Sequence, residues 1–120
     1  MGSMRSLIRA YKSLTDETRL RILNLLMERE CCVCEVMQTL GVSQPRASRN
    51  LHILYEAGFL KLERTGLWSV YSLDREGMEQ HLLELVNNVS KELDGNEVIA
   101  LDRKRIRKAR RVGPSRVASL

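Results

Sequence analysis

The sequence predicts a mainly α-helical fold that carries one small β-hairpin, and three observations predict it. Apolar residues recur at helical spacing from Leu7 to Leu54. The period changes to two between Phe59 and Leu73, around a glycine. Helical spacing then returns at Met78, Leu82, Leu85, Val86 and Val89.

Ser6 to Ser13 reads as a short helix with Leu7, Ile8 and Tyr11 on one side. Thr15 is the expected cap of a second helix, with Asp16 and Glu17 in the first turn, where the helix dipole favours acids. Leu20, Ile22, Leu23, Leu26 and Met27 form its stripe. A third helix is expected over Cys34 to Leu40, stopped by Gly41. Ser43 caps a fourth, with Pro45 tolerated in the first turn and Ala47, Leu51 and Leu54 facing inward, ending at Ala57-Gly58. Phe59 to Arg64 and Trp68 to Leu73 read as strands joined at Thr65-Gly66-Leu67. Asp74 is expected to begin the last helix. Two short helices joined by a three-residue turn and followed by a hairpin make a winged helix-turn-helix, α-α-α-α-β-β-α.

The chain has 120 residues, enough for one domain with a modest core. Residues 4–94 are expected to form that domain, with 95–120 a flexible basic tail in which Val98 to Arg111 is either a short amphipathic helix or disordered. Residues 101–120 carry eight bases and one acid, +7 against +5 for the whole chain, so residues 1–100 sum to −2. The basic character thus belongs to the tail, and it suits a polyanionic partner, nucleic acid first. No apolar run approaches the roughly 20 residues a bilayer span needs. With no signal peptide in view either, a cytoplasmic protein without membrane contact is expected. The three cysteines, Cys31, Cys32 and Cys34, are odd in number and bunched, which makes a poor disulfide framework.

The fourth helix has the chemistry of a major-groove reader. Its inner positions are small or apolar, and its outer ones carry hydroxyl, amide and guanidinium groups. Gln44 suits adenine, while Arg46 and Arg49 suit guanine or phosphate. Ser43, Ser48 and Asn50 are short polar groups for the backbone or a base. In the hairpin, Lys61 and Arg64 are placed to meet phosphate, with Gly66 at the tip, and Trp68 reads as a packing residue at the base.

Four segments together resemble the arsenic-responsive branch of the ArsR/SmtB family: Glu30-Cys31-Cys32-Val33-Cys34-Glu35-Val36, Ser43 through Leu51, Gly58-Phe59-Leu60, and Gly66-Leu67-Trp68-Ser69-Val70-Tyr71. The resemblance covers about residues 5 to 93. It implies a homodimeric repressor joined through its first and last helices, bound to a palindromic operator, and released by a metal or metalloid inducer. It implies ligands at Cys32 and Cys34. The pattern's third thiol falls on Met37, and its frequent histidine falls on Asn50.

Thiolates are soft donors, and three of them match trivalent arsenic, As(III), or antimony, Sb(III). Cys31 is the natural substitute for the third. Successive residues of a helix turn by about 100°, so Cys31 and Cys34 are expected to share a face and Cys32 and Cys34 to diverge. Capture of one ion by all three must then distort the start of the third helix, which supports the recognition helix. Two other triggers suit the same fold. One is thiol oxidation. The other is cadmium, lead or zinc, for which Glu79, His81 and Glu92 supply part of a last-helix site whose final position falls on Gly95. An enzyme is not expected: there is no glycine-rich phosphate loop and no Cys-x-x-Cys, and His52 and His81 lack triad partners. No organic cofactor is expected.

Overall fold

A computed structural model describes residues 3–120. Helix α1 (Met4–Ser13) starts earlier than expected because Ser3 Oγ accepts from Ser6 N at 3.0 Å. It buries Ala10 and Ser13, while Met4, Leu7, Ile8 and Tyr11 stay exposed. Helix α2 (Glu17–Glu28) is capped by Asp16 rather than Thr15. Asp16 Oδ2 accepts from Arg19 N at 3.0 Å, and Thr15 Oγ1 instead donates to the Lys12 carbonyl of α1 at 2.8 Å. A carboxylate at this position adds a favourable dipole interaction that a hydroxyl lacks.

Helix α3 (Val33–Leu40) ends at Gly41, whose φ of 67° is the left-handed cap the sequence called for. Ser43 Oγ then caps α4 (Gln44–Glu56). Strands β2 (Leu60–Thr65) and β3 (Trp68–Leu73) pair from Leu60↔Leu73 to Thr65↔Trp68, leaving Gly66 and Leu67 as the loop. Gly66 supplies the positive φ, 61°, that so short a connection requires.

The sequence gave no sign of one strand. Cys31 and Cys32 form β1, antiparallel to β3 through Cys31↔Tyr71 and Cys32↔Val70, so the sheet has the order β1-β3-β2. The last predicted helix, α5 (Gln80–Glu92), begins later than Asp74. Asp74 Oδ1 accepts from Gly77 N at 3.0 Å and closes a local turn first, a habit of aspartate.

The segment expected as a flexible tail is mostly helix. Asn96 Oδ1 accepts from Val98 N and Ile99 N and starts α6 (Glu97–Lys108). Ile99, Asp102 and Ile106 are buried. Each isoleucine contributes about 1.5–3 kcal/mol by leaving water. Asp102 takes both arms of Arg21 of α2 at 2.8 and 2.9 Å, and Arg103 Nη2 donates to Asn24 Oδ1 at 3.2 Å. Much of the tail's charge is therefore committed inside the domain. Composition predicted a solvated polyanion arm because it cannot show that a basic segment meets acids on its own core. A 3-10 helix (Pro114–Ser119) follows and lies against α3.

The main core gathers Ile22, Leu23 and Leu25 of α2, Val36 of α3, Leu51 and Leu54 of α4, Phe59 and Ile106. A second, small cluster of Cys32, Cys34 and Val70 is flanked by Trp68, Val112 and Val117. Among the described residues no helix is long and apolar enough to cross a membrane.

Candidate functional site

Helix α4 presents Ser43, Gln44, Arg46 and Arg49 to solvent, with Ser48 half-buried. Arg46 Nη2 donates to Thr18 Oγ1 of α2 at 2.9 Å, which steers that guanidinium. Arg49 makes no hydrogen bond or ion pair among the described residues. Asn50 is a correction to the sequence reading. It is 4% exposed; its Oδ1 accepts from Arg19 Nη1 at 3.0 Å and its Nδ2 donates to the Arg46 carbonyl at 3.0 Å. With both ends of the amide engaged and the residue buried, it ties α4 to α2 and offers nothing to a groove.

In the hairpin Lys61, Arg64 and Gly66 are exposed. Lys61 Nζ sits 3.6 Å from Glu63 Oε1, and Arg64 Nη1 donates to Ser69 Oγ at 3.1 Å. Exposed contacts of this kind are weak and are readily exchanged for phosphate.

The cysteines divide differently from the helical expectation. Because Cys31 and Cys32 lie in a strand, their side chains alternate between faces. Cys31 enters the main core, whereas Cys32 and Cys34 share the small cluster with Val70. The pair expected to diverge is thus the pair brought together, and the pair expected to share a face is split. Among the described residues no group of three or more His, Cys, Asp or Glu is placed to hold a metal ion. Two soft donors therefore fit a thiophilic ligand here, and a three-thiol cage including Cys31 does not. The half-site on α5 amounts to His81 Nδ1 standing 3.5 Å from Glu79 Oε2.

All three thiols are reduced and buried. Burial pushes Cys31 up to about 12, and the nearby Glu35 carboxylate adds to the shift. Burial likewise pushes Cys32 up to about 11; Arg111 opposes the shift and Glu35 adds to it. The resting site thus holds neutral thiols.

Glu35 is the functional neighbour that sequence reasoning passed over. It is fully buried, and its Oε1 accepts from Cys32 N at 2.9 Å. Arg29 pairs with its other oxygen, and Arg111 Nε lies 3.5 Å from Oε1. A carboxylate three residues after the cap position was the available signal, masked because cysteine rather than serine or threonine stood at the cap.

A cavity of about 190 Å³ opens over the paired thiols. Cys32 and Cys34 line it together with Gln44 of α4, Leu67 and Trp68 of the hairpin, and Pro114. Thiol pair, recognition helix, wing and chain end therefore border one space.

The model of the bacterial regulatory protein arsR family matches residues 16–61. An arsenic resistance transcriptional regulator of Pseudomonas putida is 43% identical over 79 residues, 62% of this chain and 62% of its own length. The chain thus spans less than two thirds of that relative. An arsenical resistance operon repressor of Bacillus subtilis is 36% identical over 75 residues, 62% of this chain and 71% of its own. A homodimeric winged helix-turn-helix DNA-binding domain from Mycobacterium bovis superposes with a TM-score of 0.64 at 26% identity, covering 78% of this chain and 83% of that one. Hairpin, recognition helix and cysteine-bearing third helix agree with these likenesses, and the chain belongs to the ArsR family of bacterial regulatory proteins.

Proposed function

We propose that the protein is a homodimeric, operator-binding transcriptional repressor that lets go of DNA when a trivalent metalloid, arsenic or antimony, bridges Cys32 and Cys34. The observation that carries this reading is the shared cavity, where both sulfurs stand beside Gln44 and Trp68. Gln44, Arg46 and Arg49 read the major groove, with Ser43 and Ser48 on phosphates; Lys61, Arg64 and the Gly66 tip hold the flanking backbone. Cys32 is paired with Val70 of the wing, and Cys34 lies in the first turn of α3, on which α4 packs. Drawing the two sulfurs onto one atom displaces the start of α3 relative to the wing and the recognition helix. Coupling of this kind is typically about 1–3 kcal/mol, roughly 5–150-fold in affinity, and it acts in both directions.

The exposed face of Met4, Leu7, Ile8 and Tyr11 on α1 supports a second copy as partner. Leu7→Glu with Ile8→Glu should leave a monomer by analytical ultracentrifugation; a dimer that survives both charges places the interface elsewhere. The regulatory reading is tested by fluorescence anisotropy on the protein's own promoter fragment. Arsenite should release the wild type, while Cys32→Ser and Cys34→Ser keep DNA affinity and stay bound. Release that persists in both variants would refute the assignment.

A further inference from the structure

The geometry leaves a trivalent arsenic atom one valence short. Cys32 and Cys34 provide two sulfurs in one cluster, Cys31 faces the main core, and the third position of the family pattern is Met37. The space beside the two sulfurs is not built for a third hydrophilic ligand. Val33, Trp68 and Pro114 line it, Leu67 stands at the rim, and its polar neighbours are Gln44 and Ser69. No carboxylate or imidazole lines the cavity. Its volume, about 190 Å³, is of the order that admits an aromatic ring, since an apolar cavity of roughly 150 Å³ binds benzene.

We infer, on top of the assignment of Cys32 and Cys34 as the inducer site, that the preferred ligand is a trivalent arsenical bearing one organic substituent, with the substituent seated against Val33, Trp68 and Pro114. Such a compound, R–As(OH)2, has two exchangeable positions. Each thiol displaces one hydroxyl: two As–O bonds break and two As–S bonds form. The two thiol protons leave with the hydroxyls as two waters, and arsenic stays trivalent with no electron transferred. The As–C bond fills the third position that inorganic arsenite must fill with water-derived oxygen or with a thiol from the core. Burial of an aromatic substituent contributes about 1.5–3 kcal/mol, which converts to roughly tenfold or more in affinity.

The test uses the purified full chain without DNA, titrated with phenylarsine oxide, methylarsenous acid and sodium arsenite. Adducts are read by intact-protein mass and by the emission of Trp68, the single tryptophan. One phenylarsenic per chain, carried by two lost waters, is expected in the wild type and in Cys31→Ser, and none in Cys32→Ser or Cys34→Ser. Half-saturation is expected at least about tenfold below that for arsenite. Ser69→Leu, which narrows the cavity, should raise the phenylarsine oxide needed and leave methylarsenous acid unchanged. Arsenite binding as tightly as the phenyl compound, loss of the phenyl adduct in Cys31→Ser, or indifference of both organic compounds to Ser69→Leu would each overturn the inference. A separate arm adds promoter DNA. A phenyl adduct that forms as described without releasing DNA leaves this site standing and removes the regulatory role.

Discussion

Arg111 Nε lies 3.5 Å from Glu35 Oε1, the same oxygen that accepts the Cys32 backbone N–H at 2.9 Å. The end of the chain and the cap of the thiol-bearing helix therefore meet at one carboxylate, whose side chain is 1% exposed. Arg29 binds its other oxygen and also donates to the Ile106 carbonyl at 3.1 Å, at the end of α6. Through Glu35 the third helix, the sixth helix and the final segment share one anchor.

Removing that anchor should unsettle all three. Glu35→Ala strands two guanidinium groups, each about one-third exposed, and frees the Cys32 N–H. Loss of one partner from a buried ion pair costs about 3–5 kcal/mol, and the partial exposure of the arginines places the expected loss near 3 kcal/mol. Glu35→Gln should cost less, because an amide oxygen still accepts from Cys32 N. Urea unfolding with unchanged m-value checks both. A loss under about 0.5 kcal/mol for Glu35→Ala, the level of an ordinary surface change, would show that the anchor is idle.

The chain end also covers the thiols. Val112 and Val117 pack on the cluster of Cys32 and Cys34, while Gln38 clasps Arg110 through both its carbonyl and its N–H, at 2.6 and 3.1 Å. Removal of residues 110–120 should therefore speed alkylation of Cys32 and Cys34 by roughly tenfold or more, as local opening no longer has to precede reaction. Cys31, enclosed in the main core, should remain slow. Peptide mapping after timed iodoacetamide labelling distinguishes the three, and unchanged rates at Cys32 and Cys34 would rule out a cover.

Stability should fall in alkali because of the same burial. The folded state holds Cys31 up to about 12 and Cys32 up to about 11, whereas an unfolded thiol titrates near 9. Above pH 9 the unfolded chain loses protons that the folded chain keeps, so the unfolded state gains. The stabilisation is complete below pH 9 and is lost as pH rises toward 11 and 12. Urea midpoints from pH 8 to pH 10.5 should decline, and less steeply in Cys31→Ala and Cys32→Ala. Slopes identical to wild type in both variants would assign the decline to other groups.

Asn50 and Arg49 are neighbours in sequence with opposite expected roles. Asn50→Ala leaves Arg19 without an acceptor and should cost about 1–3 kcal/mol of stability. Arg49→Ala should change stability by under about 0.5 kcal/mol. It should weaken promoter binding and, if it neutralises one phosphate, lower the salt slope by roughly 0.9. Paired urea melts and salt-dependent anisotropy check this, and the reverse pattern would mean that α4 is turned differently on its support.

The sequence by itself determined the order of helices and the hairpin, because periodicity and caps are local. Gly41, Ser43 and Gly66 each mark a backbone conformation that only a few residue types adopt, and each sits where expected. It also put chemistry-bearing residues in the right segments. Tertiary structure decided which of them meet. A two-residue strand at Cys31–Cys32 exists only because β3, some forty residues later, offers Tyr71 and Val70 as partners, and its alternation separates Cys31 from Cys32. The basic tail became a docked helix only because Arg21 and Asn24 of α2 await Asp102 and Arg103. Asn50 looked like a groove contact until Arg19 took its oxygen. Pairing across large sequence separation depends on which surfaces the whole chain brings together, and no local pattern encodes it.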